Sequence, residues 1–318
     1  MKPRTLSWGA VALTLMSVAH PSYAAECWTA TTVNSRTGYG ESVSLPKYAR
    51  LRQAANAAEK TLRGDQTLAA IDGYRFQLSQ SFNMVEEHGR AYTGQVWLRL
   101  HAPDVWSDGA GCAVRQGEAD YFNQYAIEIN FNSVSEVIAA AAATSDEDEP
   151  VIANLPPEAA RLYEDTGLIR TVGEGVRAFR SDGGRVLVPL TVAEHLTLWE
   201  RRLERLISEG AGEPLTSQLQ DLRRHRSGLS DVGLRAPIWL DGSETELWSY
   251  ARPGQGAPIY QVAPELLTPA SDPSYVRLLT VGWYAPDDDA TGQRLQAWTA
   301  QFDEARAAAL FQAAEGVQ

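Results

Sequence analysis

The sequence predicts an α+β protein in which antiparallel sheet hairpins and meanders carry packed helices, arranged in two halves behind a cleaved signal peptide. Three observations lead there. Short runs alternating apolar and polar residues, bounded by Gly, Pro, Asn and Asp, recur along the chain. Between them lie longer stretches with apolar residues at spacings of three and four, several opened by a capping residue. Four adjacent acids, Asp146 to Glu149, divide the chain near its middle.

The first element is the leader. Met1 to Ala24 carries Lys2 and Arg4, an apolar run from Trp8 to Val18, and a small-x-small site at Ser22, Tyr23 and Ala24. The run is too short to span a bilayer, and no later segment reaches the length of a membrane span. Glu26 stands directly before Cys27 and spoils a lipoprotein processing site. The expected location of the mature chain is therefore periplasmic or extracellular.

Export gives the two cysteines, Cys27 and Cys112, an oxidising environment in which an even pair predicts a disulfide. Closing so long a loop stabilises by about 4 kcal/mol in the chain-entropy model. The net charge of −12 becomes more negative by two when Lys2 and Arg4 leave with the leader. Such an acidic chain is a poor ligand for nucleic acid or for an anionic membrane surface.

Residues 25–143 form the expected N-terminal half. Lys47 to Arg63, rich in alanine and starting just past Pro46, predicts a helix stopped at Gly64. Tyr74, Phe76, Leu78 and Phe82 predict one strand, Tyr92 to Leu100 a second, and Ala126 to Phe131 a third. Ser133 and Glu136 have the spacing of a capping box for the helix that follows. Residues 144–150 form the acidic linker, because adjacent like charges repel and extend.

The C-terminal half, residues 151–318, contains the clearest local unit. A strand from Gly175 to Arg180 and another from Arg185 to Leu190 flank Ser181 to Gly184, the composition of a tight hairpin. Thr191 and Glu194 then form a capping box. The helix they open carries a stripe of Val192, Leu196, Trp199, Leu203 and Leu206. Pro214 opens a second helix, whose last turn holds Arg223, Arg224, His225 and Arg226, favourable charges at a helix C-terminus. Strands around Ile238 to Leu240, Leu247 to Tyr250, Ile259 to Val262 and Tyr275 to Tyr284 follow, and Leu295 to Leu310 predicts a long closing helix.

Searching for chemistry mostly excludes it. The Gly-x-Ser-x-Gly elbow, the His-Glu-x-x-His helix, the Walker loop and the dinucleotide fingerprint are all missing, so no cofactor and no metal is expected. Asp287 to Gly292 matches only part of a calcium loop, since Trp298 stands where a bidentate Glu is required. His88, His101, His195 and His225 are scattered singly. The candidate binding residues are Trp106, Asp104 and Asp108, in a Gly-, Ser- and Pro-rich stretch close to Cys112. An aromatic ring flanked by carboxylates can stack on a sugar or anchor a protein interface. The balance falls on a non-catalytic exported protein that binds another protein or an envelope polymer. The alternative is a hydrolase of a saccharide or peptide envelope substrate acting through acids such as Asp104 and Asp108.

Overall fold

The computed structural model describes residues 32–37, 40–71, 74–85, 91–101, 125–141, 143, 152–153, 155–171, 174–210, 212–240, 248–251, 256–285 and 290–316. In chain order these form β1 (Thr32–Val33), a 3-10 turn, α1 (Ala49–Gly64), α2 (Gln66–Ala69), β2 (Arg75–Val85), β3 (Tyr92–His101), β4 (Tyr125–Phe131) and α3 (Val134–Ala140). Next come β5 (Ile152–Ala153), α4 (Pro157–Thr166), β6 (Leu168–Thr171), β7 (Glu174–Arg180), β8 (Leu187–Pro189), α5 (Val192–Ser208) and α6 (Glu213–Ser227). The chain closes through α7 (Asp231–Arg235), β9 (Trp239–Leu240), β10 (Ala257–Pro258), β11 (Tyr260–Val262), α8 (Pro264–Leu267), β12 (Leu278–Tyr284), α9 (Ala290–Gln301) and α10 (Glu304–Glu315).

This is an α+β fold. Its largest sheet runs β1-β2-β3-β4-β12-β7-β6, antiparallel throughout except for the parallel β1–β2 pair. Strands from both sides of residues 144–150 share it, with β12 paired to β4 on one side and β7 on the other. A three-stranded sheet, β5-β11-β8, and the β9–β10 pair complete the strands.

Alternation along the strands divides the core. On one face Phe76, Leu78, Val96, Leu98, Ile127 and Ile129 meet α1, α9 and α10 through residues such as Leu51, Leu62, Trp298 and Leu310. Gly175 belongs to this face by necessity: a Cβ there would lie 1.8 Å from the Trp283 ring on the neighbouring strand. The other face, over β12, β7 and β6, packs Leu278 and Ile169 against α3, α4 and the three-stranded sheet. A third cluster joins α5 and α6 through Leu196, Leu203 and Leu222. The capping box of α5 is present, with Glu194 Oε2 accepting from the Thr191 N–H at 2.9 Å and Thr191 Oγ1 from the Glu194 N–H at 3.3 Å.

Asn132 ties the strands across the chain. Its φ of 59° is left-handed, a region that Asn tolerates better than most side chains. Its Nδ2 donates to the carbonyls of Tyr92 and Tyr275 at 3.0 and 2.9 Å, and its Oδ1 accepts from the N–H of Arg277 at 2.8 Å.

Three expectations are corrected. Ser181 to Gly184 do make a turn, with the Gly183 N–H donating to the Arg180 carbonyl at 3.1 Å, yet the flanking strands do not pair. β7 stays in the large sheet while β8 pairs with β11, because the turn carries the chain from one layer to the next. Ser133 makes no capping hydrogen bond; its hydroxyl pairs with that of Ser135 at 3.0 Å. The closing helix is two helices, broken where Asp303 leaves the helical conformation and caps α10 by accepting from the Arg306 N–H at 2.9 Å.

Candidate functional site

An open groove of about 670 Å³ lies at the β7 side of the large sheet. Its construction follows from unequal strand lengths. β6 has four residues and β7 seven, so β7 runs on beyond its neighbour. α4 ends on Gly167, whose φ of 70° lets the chain reverse into β6, and the helix end forms one wall. The turn from Gly183 to Val186 and the flank of α10 at Ala307, Ala308 and Phe311 form the others.

Arginines act as struts in this groove. Arg177 donates to the carbonyls of Ala300 at 2.6 Å and Thr166 at 2.8 Å, and its guanidinium lies 5.5 Å from the centre of the Phe179 ring. Burial pulls its pKa below the usual arginine value, against the opposing influence of Asp303 and Glu304. Arg180 pairs with Asp182 and with Glu265 and also donates to the Arg185 carbonyl at 3.2 Å. Arg185 reaches the Glu164 carbonyl at 3.4 Å. These bonds satisfy carbonyls left open at helix ends and turns, so the floor is held in one geometry.

Carboxylates stand on the same rim. Glu164 accepts from the Tyr260 hydroxyl at 2.6 Å, and burial, reinforced by that carboxylate, pushes the Tyr260 phenol well above its ordinary pKa. Glu315 accepts from the Tyr275 hydroxyl at 3.2 Å. The groove is thus preformed and of mixed charge, with an apolar flank on α10. It suits reversible binding of a polar chain that also offers some apolar surface.

Asp104, Trp106 and Asp108, and Cys27 and Cys112, are outside the described residues. The chain leaves β3 for that segment at His101 and returns at Tyr125, at the end of the sheet where β2 begins. The basic end of α6 is occupied by ion pairs: Arg223 with Glu200 and Glu204, Arg226 with Glu200, and Arg224 with Asp221.

The fold also brings together two of the scattered histidines. His195 Nε2 lies 3.0 Å from the Trp248 carbonyl, His225 Nε2 lies 3.1 Å from the Tyr250 hydroxyl, and both rings pack edge-on to Tyr250. His101 Nε2 is 2.9 Å from Gln77 Oε1. Among the described residues no group of three or more His, Cys, Asp or Glu is placed to hold a metal ion, and no helix is long and apolar enough to cross a membrane.

These features define the class as an α+β fold with a preformed polar groove. No family model matches the chain, and searches of curated proteins and of solved structures gave no match either.

Proposed function

We propose that the chain is an exported, non-catalytic binding protein, periplasmic or extracellular, whose partner is another protein or an envelope polymer. The observation that carries the reading is the groove itself. Its guanidinium groups are spent on carbonyls and carboxylates of the protein's own frame, which fits a rigid receptor better than a site that must exchange protons with a substrate. The leader at residues 1–24 supports export.

The test uses the mature protein as bait in an envelope extract, beside two variants. Ala308→Trp places a large ring on an exposed position of the groove wall and should leave the melting temperature unchanged while abolishing partner recovery. Trp106→Ala reports separately on the segment that holds Asp104, Trp106 and Asp108. Equal recovery by wild type and both variants would refute the reading. So would release of soluble fragments from the envelope polymer by the wild-type protein, which is the hydrolase outcome.

A further inference from the structure

The phase of the β7–β12 ladder exposes a feature of the groove that its lining residues alone do not. Ser181 donates its N–H to the Arg277 carbonyl at 3.0 Å, just beyond the register in which Phe179 faces Leu279 and Arg177 faces Val281. Backbone groups of alternate residues in an antiparallel strand point to opposite sides. Phe179 and Arg177 therefore direct theirs at β12, and Ala178 and Arg180 direct theirs away from it.

On that far side the pairing with β6 stops at Leu168, opposite Arg177. The next position, Gly167, donates its N–H back to the Tyr163 carbonyl at 2.8 Å as the end of α4. The Arg180 carbonyl is taken by Gly183. Both backbone groups of Ala178 and the N–H of Arg180 thus have no partner among the described residues, and both residues line the groove.

We infer that the groove receives an extended segment of a partner polypeptide, which adds to the open edge of β7 at Ala178 and Arg180 as a further strand. This rests on the binding reading above and narrows its ligand from polymers in general to a peptide backbone. An unpaired sheet edge is a template for another chain, and main-chain hydrogen bonds supply affinity while flanking pockets supply selectivity. At about 3.4 Å per residue the open edge accommodates three or four residues of ligand. Alternate side chains of that segment fall on the two walls already described. Those toward α10 meet Ala308 and Phe311 with Glu304 and Glu315 at the rim, favouring apolar or basic residues. Those on the opposite side meet the turn from Gly183 to Val186.

The experiment selects peptides from a displayed random library on the mature wild-type protein, then measures affinity and amide exchange with one synthetic binder. Two variants separate the two levels of the proposal. Ala308→Trp blocks the groove to any ligand. Ala178→Pro removes one outward N–H at an edge position, where proline is tolerated, and leaves the rest of the groove intact. Strand addition requires about a tenfold loss of affinity in Ala178→Pro, the worth of roughly one hydrogen bond. It also requires slower exchange at the amides of Ala178 and Arg180 in the wild-type complex, and weaker binding when the peptide amide facing the Ala178 carbonyl is N-methylated. A peptide that is lost with Ala308→Trp but unaffected by Ala178→Pro and by N-methylation overturns strand addition and leaves the binding protein standing. Recovery of no peptide, with a glycan partner found in the envelope extract instead, also overturns it. Binding that survives Ala308→Trp overturns the groove altogether.

Discussion

The hydroxyl of Tyr163 holds both backbone groups of Leu187, donating to its carbonyl at 2.9 Å and accepting from its N–H at 2.7 Å. β8 is an edge strand of the three-stranded sheet, and Leu187 presents these groups away from β11. A side chain from α4 therefore does what a further strand would do. Tyr163→Phe leaves a buried donor and acceptor unsatisfied at once, and we expect a loss of about 2 to 4 kcal/mol. Urea unfolding of the two proteins at neutral pH measures it. A difference below about 0.5 kcal/mol would mean that water replaces the hydroxyl.

The same phenol predicts an alkaline limit to stability. Burial raises the pKa of Tyr163 in the folded state, and burial with the Glu164 carboxylate raises that of Tyr260, whereas both titrate near 10 when unfolded. A raised folded pKa contributes stability that is fully present below the unfolded value and is lost as pH rises through the folded one. Stability should therefore fall as pH rises above about 10. Tyr260→Phe, which removes one titrating group, should flatten that fall. Equal slopes for the two proteins between neutral pH and the alkaline limit would count against it.

Asn132 offers a third test because it joins distant parts of the chain through one amide. Asn132→Ala removes the bonds to Tyr92, Tyr275 and Arg277 and places alanine at a φ of 59°. The combined expectation is about 3 to 5 kcal/mol. Asn132→Gly keeps the backbone comfortable and loses only the hydrogen bonds, so it should be the milder of the two by about 1 kcal/mol. The reverse order in thermal unfolding would show that the left-handed backbone relaxes.

What could be read from sequence was local. Thr191 and Glu194 announce the start of α5, and Leu203 in its stripe is fully buried, because capping and amphipathic spacing are properties of neighbours in the chain. The alternation in β2, β3 and β4 is legible for the same reason. The missing β7–β8 pairing was not: Ser181 to Gly184 look like a hairpin turn, and only packing on α4 and β11 assigns the two strands to different sheets. The break at Asp303 was hidden because Trp298, Phe302 and Leu310 continue an apolar spacing straight through it, and all three are buried, Trp298 in α9, Phe302 at the break and Leu310 in α10. The groove had no sequence signal at all. It arises because β6 is shorter than β7 while α10, from the far end of the chain, supplies a wall. Asp104, Trp106 and Asp108 stand out by the composition of their segment alone, a property that marks turn-forming stretches and says little about which of them bind.

The last prediction concerns Cys27 and Cys112. β1 is parallel to β2, with Thr32 beside Ser79, so the chain enters β1 from the end of the sheet at which β2 begins. Arg75 at that end faces His101, the last residue of β3, and Leu100 faces Tyr125, the first of β4. The segment carrying Cys112 therefore leaves and re-enters the sheet at the end from which the N-terminal segment arrives. Four residues lie between Cys27 and Thr32, so Cys27 falls within about 17 Å of the start of β1 at that end of the sheet. We expect the exported protein to gain two alkyl groups only after reduction, read as intact mass before and after treatment. We expect the reduced form to melt at a lower temperature, since the bridge restrains the strand at the edge of β2. Two thiols that alkylate freely in the unreduced exported protein would refute the bridge.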